Sequence, residues 1–534
     1  MSIRQAGAPA TDDEIKRAAI DGSTKRILRQ QPIDREDSIA CRLYPALSFF
    51  FDGTNNNMER DRLLNKHSNV AKLFRAALIP NRFELKPTYL PGVGTSFKFI
   101  KVAGYTDHLK DDEGGVLGLG LGLGLGAGGD LRIRFALGEF SRLLEVEFGP
   151  GSWAHMREVT VAIFGFSRGA TEARAFARRL IEQKCINRNG LFYWRAPNGV
   201  HIPLRINFMG IFDTVASVGG PALHLDWASE LAIPPAVERC MHFVAAHEVR
   251  RAFPLDSVRI DAAYPSNCVE VVYPGVHSDV GGGYGPDEQG RDKDLSYVPL
   301  RHMLAEALRA GVPMMALDEM PDDSILDFQL DDDAPVVNLY NDYMAALPAA
   351  PGSDLESLIQ PHRYLNFRWR SILARHQADE RVLGHLYEKV GAAFCSTVPA
   401  GSDEDHPACQ PNEWVYDVPK NPEEQAKQLL REQRRLERHI EFLRNPIEPR
   451  AGNRSYPPQP RELRPYEKMI LAAWDEAGTI PLAVDQLLAE HIHESVAAFT
   501  SWPCALWDQR GIYCDRTRYM AQNDPITPDD AAVA

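Results

Sequence analysis

An α/β fold built on a mostly parallel central sheet is what this sequence predicts, and three observations predict it. Four short apolar runs, 46–51, 158–164, 205–212 and 269–275, have the composition of buried parallel strands. The second run passes through Gly165-Phe166-Ser167-Arg168-Gly169 straight into a helical pattern from Ala170 to Gln183. The other runs open onto chemistry-bearing residues just past their ends: Asp52-Gly53-Thr54, Asp213-Thr214 and His277-Ser278-Asp279.

Each element follows from its residues. Glu158–Phe164 reads EVTVAIF, short and β-branched, and the helix after it opens with the small residues Ala170 and Ala173. Strand, G-x-S-x-G, helix is the context of a nucleophile elbow, in which two glycines permit a tight turn and the serine hydroxyl stands exposed above the sheet. Ser167 is therefore the candidate nucleophile. A tight strand-to-helix turn that merely needs glycine is the bland alternative.

A serine nucleophile needs a base and an acid that orients it, and in such folds both follow later in the chain. Arg205–Phe212 ends at Asp213, and Val269–Tyr273 runs through Pro274-Gly275-Val276 to His277 and then to Gly281-Gly282-Gly283. Of the sixteen histidines, His277 is singled out by its place at a strand end beside a glycine cluster. We expect Ser167 to attack an acyl carbonyl, His277 to take its proton, and Asp213 to hold the imidazole tautomer. Asp213 could instead cap a helix. Asp256 and Asp279 are the rival acids, and His493, in EHIHESVAAF, is the reserve base. For the oxyanion hole the expected donors are the backbone N–H of Arg168 and amides of Gly53 and Thr54, in the loop after ALSFFF (46–51). The same composition also favours an Asx-type turn.

Four blocks carry a resemblance. FFDGTNNN (50–57), GFSRGA (165–170), GIFDTV (210–215) and PGVHSDVGGGY (274–284) resemble the signature blocks of the first family of type VI secretion lipase effectors. The resemblance implies an α/β-hydrolase phospholipase A with Ser167 as nucleophile, Asp213 as acid and His277 as base. It further implies a VgrG-type secretion spike protein, a cognate immunity protein and the phospholipid membrane of a target cell as partners. The producer's cytoplasm and then the target-cell periplasm are the implied locations. One departure is visible: Asn55 follows the threonine where the first block often has glycine.

Composition sets outer bounds. The 534 residues, 44% hydrophobic and 25% charged, describe a globular chain with room for a large core and an additional region. A net charge of −14 argues against nucleic-acid binding and would not draw the chain to an anionic bilayer. The eight cysteines are scattered without a C-x-x-C, which reads as a reduced set with no structural zinc. No cleavable signal or membrane-spanning run is expected. The mechanism requires no cofactor and no metal.

The predicted organisation is an N-terminal arm over 1–40, a catalytic core over 41–320 and a mainly helical region packed on it over 321–534. Within the core, 114–129 reads GGVLGLGLGLGLGAGG, either a mobile apolar lid or a close-packing connection, and an amphipathic helix follows from Asp130 to about Glu147. A basic cluster of Arg174, Arg178, Arg179, Lys184, Arg188 and Arg195 with Phe192, Tyr193 and Trp194 suits either a lipid headgroup surface or a solvated helix face. Pro422–Asn445 is a long charged helix with Leu429, Leu436, Ile440 and Leu443 on one stripe. The last residues, ITPDDAAVA, read as disordered. A housekeeping carboxylesterase, a phosphohydrolase using Asp52, Asp213 and Asp279 as metal ligands, and a silent spike-binding module are the rival functions.

Overall fold

The computed structural model describes residues 2–30, 42–95, 128–218, 224, 226–250, 252–261, 263–330, 334–375, 422–446, 460–496, 506–507, 510–514 and 517–519. Most of the Gly/Leu-rich segment and the extreme C-terminus lie outside the described residues.

Twelve strands are described: β1 (Ile3–Gln5), β2 (Ala46–Phe51), β3 (Leu85–Leu90), β4 (Val159–Phe166), β5 (Cys185–Arg188), β6 (Leu191–Arg195), β7 (His201–Phe212), β8 (Cys240–Ala245), β9 (Leu255–Asp256), β10 (Cys268–Tyr273), β11 (Ile512–Cys514) and β12 (Thr517–Tyr519). Seven of them pair in the order β1-β10-β8-β7-β4-β2-β3, every pairing parallel. The hairpin β5–β6 joins antiparallel to the start of β7. This is the expected α/β architecture, and all four apolar runs are strands in it.

Alternation along the strands sorts the core into two layers. Phe50, Phe164, Phe208, Phe212, Met241 and Phe243 face one side, packed with Val298, Leu300 and Leu304 of the helix Tyr297–Arg309. Phe49, Phe51, Val161, Ile163 and Ile211 face the other, packed with the helices Gly129–Arg142 and Arg168–Lys184. Phe176 of the second helix sits 4.7 Å from Phe49 and 5.4 Å from Phe51, ring centre to ring centre. Phe50 stacks on Phe164 across β2 and β4 at 4.7 Å. Strands buried on both faces explain why these runs are nearly continuous in apolar residues rather than alternating with polar ones.

Strand order places the site. From β2 the chain moves outward to β3, whereas from β4 it moves the other way through β7, β8 and β10. The connections therefore reverse between β2 and β4, and the crevice at such a switch point, beyond the C-terminal strand ends, is where open α/β sheets bind ligands. The loop at Asp52–Asn57 and the turn at Ser167 both open there.

The N-terminal segment differs from a simple arm. Ile3, Arg4 and Gln5 pair with Glu270, Val271 and Val272, so β1 closes one edge of the sheet. The helix Asp12–Gln30 then packs on Tyr297–Arg309. The amphipathic helix after the Gly/Leu-rich segment runs over Gly129–Arg142 and ends in a wider turn at Leu143–Glu147. Pro422–Arg444 is the long charged helix, and its stripe residues Leu429, Leu436, Ile440 and Leu443 are all buried. Among the described residues no helix is long and apolar enough to cross a membrane.

Phe176 joins the helix after Ser167 to the sheet and is fully buried. Phe176→Ala is expected to lower the unfolding free energy by about 3–5 kcal/mol in a denaturant titration. A loss below about 1 kcal/mol would mean that this helix is not held by that contact.

Candidate active site at the C-terminal rim of the sheet

Ser167 sits at the end of β4 with φ 57° and ψ −126°, a conformation that L-residues rarely adopt. Such strain costs on the order of 1–3 kcal/mol and persists only when neighbours over-determine it. Here four backbone bonds do so: Ser167 N–H donates to Phe212 O at 3.0 Å, and Ser167 O accepts from Ala170 at 3.0 Å and from Thr171 and Val215 at 3.3 Å. The flanking glycines are required by close approach. A Cβ on Gly165 would lie 2.6 Å from Ala170 Cα, and one on Gly169 would lie 2.3 Å from Asp52 O and 2.4 Å from Phe51 O.

Asp213 and His277 meet. His277 Nδ1–H donates to Asp213 Oδ2 at 2.6 Å, with both residues buried. Register explains the meeting: Phe166, Phe212 and Phe243 are cross-strand neighbours in β4, β7 and β8, and Tyr273 of β10 pairs with Ala245. The residues just past these strand ends share one rim. The His277 ring lies between Phe166, at 4.6 Å, and Phe253, at 5.2 Å edge-on. Its Nε2 is buried with no hydrogen-bond partner, so the bond to Ser167 Oγ is not made in this structure. Burial lowers the His277 pKa from its ordinary value, partly opposed by the bond and charge of Asp213. Burial alone would raise Asp213, but Arg510 and His277 hold it well below the usual carboxylate range.

Arg510 was not foreseen. Its guanidinium clamps Asp213 with two bonds, Nη1 to Oδ2 at 2.7 Å and Nη2 to Oδ1 at 2.5 Å, and Nη2 also donates to Ala245 O at 3.0 Å. It stands 297 positions from Asp213 in the chain. No local pattern marks it, because one arginine beside GIYC carries no sequence signal. Glu248 and His242 were missed as well. Glu248 Oε2 accepts His277 N–H at 3.3 Å. His242 Nε2 accepts Thr214 N–H at 3.1 Å, which places its proton on Nδ1 toward Glu270 at 2.8 Å and steadies the turn at Asp213, where φ is 39°.

The loop after β2 is organised by a buried carboxylate. Asp52 accepts from Gly53 N–H at 2.7 Å, Ser68 Oγ at 2.5 Å and Tyr89 Oη at 2.5 Å. The Gly53 amide, one of the expected oxyanion donors, is therefore engaged within the loop. Arg168 Nε donates to Thr54 Oγ1 at 2.6 Å, tying this loop to the turn at Ser167. Asn55 has φ 60°, the left-handed region that glycine favours and asparagine tolerates, which accounts for the substitution seen in the first block.

The other candidates sit elsewhere in the network. Asp279 receives His493 Nδ1 at 2.7 Å, and His493 stacks on Tyr284 at 3.8 Å, so the reserve base and a rival acid form a separate buried pair. Asp256 pairs with His224 at 2.5 Å and accepts Ala216 N–H at 2.8 Å. Asp52, Asp213 and Asp279 thus have separate partners, and among the described residues no three His, Cys, Asp or Glu side chains are grouped to hold a metal. The basic cluster is not one surface patch. Arg174 is buried against the carbonyls of Leu231, Asp256 and Ser257, Arg178 pairs with Glu182 and Glu230, Arg179 pairs with Asp130, and Trp194 is in the core. A groove of about 1180 Å³ lies toward the N-terminal ends of the strands, away from Ser167. Charges along it, such as Arg82 with Glu84 and Arg205 with Glu158, neutralise one another.

Residues 197–306 match the family described as "T6SS, Phospholipase effector Tle1-like, catalytic domain". This stretch, about a fifth of the chain, is similar to a Tle1-like catalytic domain. The resemblance read from the four blocks is borne out by this match, whose span includes Asp213 and His277, while Ser167 precedes it. Among solved structures, an uncharacterized protein from Pseudomonas aeruginosa aligns with a TM-score of 0.63 at 23% identity, covering 97% of this chain and 85% of that one, which shows a shared fold. A structure of the Tle1 effector bound to the VgrG spike from the Type 6 secretion system aligns at 18% identity over 62% of this chain and 87% of that one, with a TM-score of 0.37. No curated protein matches the sequence of this chain.

Burial raises the Asp52 pKa to about 6, against the opposing hydrogen bonds from Ser68, Tyr89 and Gly53. A folded-state value above the unfolded ~3.9 means that Asp52 adds stability below about pH 4, and this contribution is lost as pH rises through about 6. The stability of the parent relative to Asp52→Asn is therefore expected to fall by up to about 3 kcal/mol between pH 4 and 7 in chemical denaturation. A difference that stays flat across this range contradicts the assignment.

Proposed function

We propose that this Tle1-like protein is a serine-dependent phospholipase A that hydrolyses acyl esters of membrane glycerophospholipids. The observation that carries the reading is the buried Asp213–His277 hydrogen bond beside a strained serine at the sheet's switch point. The family match supports a phospholipase effector. Delivery into a rival cell on a VgrG-type spike, action on that cell's membrane and neutralisation by an immunity protein are part of the same proposal.

The steps use only groups of this chain. Substrate brings its ester carbonyl to Ser167, and Oγ attacks as its proton passes to His277 Nε2, the nitrogen left unpartnered. Asp213 fixes the tautomer in which Nδ1 carries the other proton. The negative oxygen of the tetrahedral intermediate meets the backbone N–H of Arg168, at the N-terminus of the helix Arg168–Lys184, and the amide of Thr54 across the crevice. His277 then returns the proton to the leaving alcohol of the lysophospholipid. Water repeats the sequence on the acyl-serine and releases the fatty acid.

Fatty-acid release from sn-1- and sn-2-labelled phospholipid vesicles tests this directly. Ser167→Ala and His277→Ala should each lower kcat by on the order of 10⁴, and Asp213→Asn by about 10³–10⁴, with folding checked by circular dichroism. Parental rates in all three would end the triad assignment. A housekeeping carboxylesterase would instead prefer short soluble esters to bilayers.

The pH profile gives an independent check. The base acts when neutral, so activity is present above the folded pKa of His277 and lost as pH falls through it. Because burial lowers that pKa, the acidic limb of kcat/KM should lie below the ordinary histidine value of about 6.5. A limb above about 7 contradicts the environment described.

A further inference from the structure

The segment leading into β11 reaches back into the candidate active site. β11 pairs in parallel with β9, Ile512 opposite Leu255 and Tyr513 opposite Asp256. Leu255 N–H donates to Gly511 O at 2.9 Å and Ser257 N–H to Tyr513 O at 3.0 Å. β9 in turn is fixed to the turn after β7, because Asp256 N–H donates to Thr214 O at 2.9 Å. This clamp sets Arg510 against Asp213, and the arginine is buried.

The consequence is electrostatic. A triad carboxylate with a full free charge stabilises the imidazolium beside it and raises the histidine pKa. Asp213 shares both oxygens with Arg510, so its charge is largely neutralised where His277 meets it. Few other charges face this pair: Glu248, at the His277 amide, is itself held by Arg250 at 2.9 Å, and the Arg250 guanidinium lies 3.6 Å from the Phe253 ring that packs on His277.

We propose that Arg510 is a positioning residue of the triad: delivered by the docking of β11, it clamps Asp213 and lowers the basicity of His277. This inference rests on the triad reading and extends it to a segment more than 200 residues beyond the matched domain. Docking of that strand is then required for a base that stays neutral, and so active, in mildly acidic surroundings.

The test is the pH dependence of kcat/KM for a soluble nitrophenyl ester, measured on the full chain with Arg510→Met, Arg510→Gln and Arg510→Lys. Removing the cation frees the Asp213 charge, so the acidic limb should move up by about one pH unit in the two neutral variants. Arg510→Lys, which keeps the charge but only a single-point contact, should move it by less. A purely structural role would lower the rate at every pH and leave the limb in place, which would overturn the proposal. Should both neutral variants lack a cooperative thermal transition, the lysine variant decides: a limb unmoved from the parent overturns the proposal, and an upward shift supports it. Ser167→Ala, run alongside, separates the two readings. If it keeps the parental rate, the triad itself fails; if it is inactive and the limb does not move, only the role of Arg510 fails.

Discussion

The Asp213 carboxylate is the contact on which the arrangement depends. It joins three parts of the chain: the end of β7, the loop after β10 that carries His277, and the segment just before β11 that carries Arg510. Ala245 N–H adds a fourth bond at 2.9 Å, from the end of β8. Four donors satisfy a charge that burial would otherwise drive toward neutrality, and the result is an ionised aspartate inside the protein. Removing one partner from a buried ion pair typically costs 3–5 kcal/mol, because the other charge is left without compensation. The same bonds that orient the imidazole therefore also hold distant elements together.

Strain at Ser167 is tolerated for a related reason. The turn is pressed between β2 and β7: Gly169 contacts the carbonyls at the end of β2, and Phe212 O receives the serine amide. Any side chain at Gly169 would force the elbow away from the loop at Asp52. Because β2 and β4 flank the reversal of strand order, the loop after β2 and the turn at Ser167 meet where open α/β sheets bind ligands. Loop and elbow are further tied by the Arg168–Thr54 contact.

Much of this was legible in the residues, and the limits have physical causes. Buried parallel strands must be apolar on both faces, so ALSFFF, EVTVAIF, RINFMGIF and VEVVY could be read directly, and their ends marked Ser167, Asp213 and His277. β8 was not expected: His242 interrupts its apolar run, because that residue pairs with Glu270 across the sheet instead of facing solvent. β1 is three residues long and owes its place to pairing with β10, which no local pattern reveals. Arg510 is the clearest case, since a long-range ion pair depends on where the chain returns and not on its neighbours in sequence. The loop at Gly53 was read by composition alone, and only the Asp52 geometry shows that its amide is already engaged.

We propose Ser167 as a nucleophile activated by His277 at this rim. Stoichiometric labelling with a fluorophosphonate, followed by peptide mass spectrometry, tests it most directly, because the reagent reports only a serine hydroxyl with a competent base beside it. One adduct per chain is expected, on Ser167, formed far more slowly in His277→Ala. An intact, folded chain left unmodified at Ser167, or labelled equally fast without His277, would contradict it.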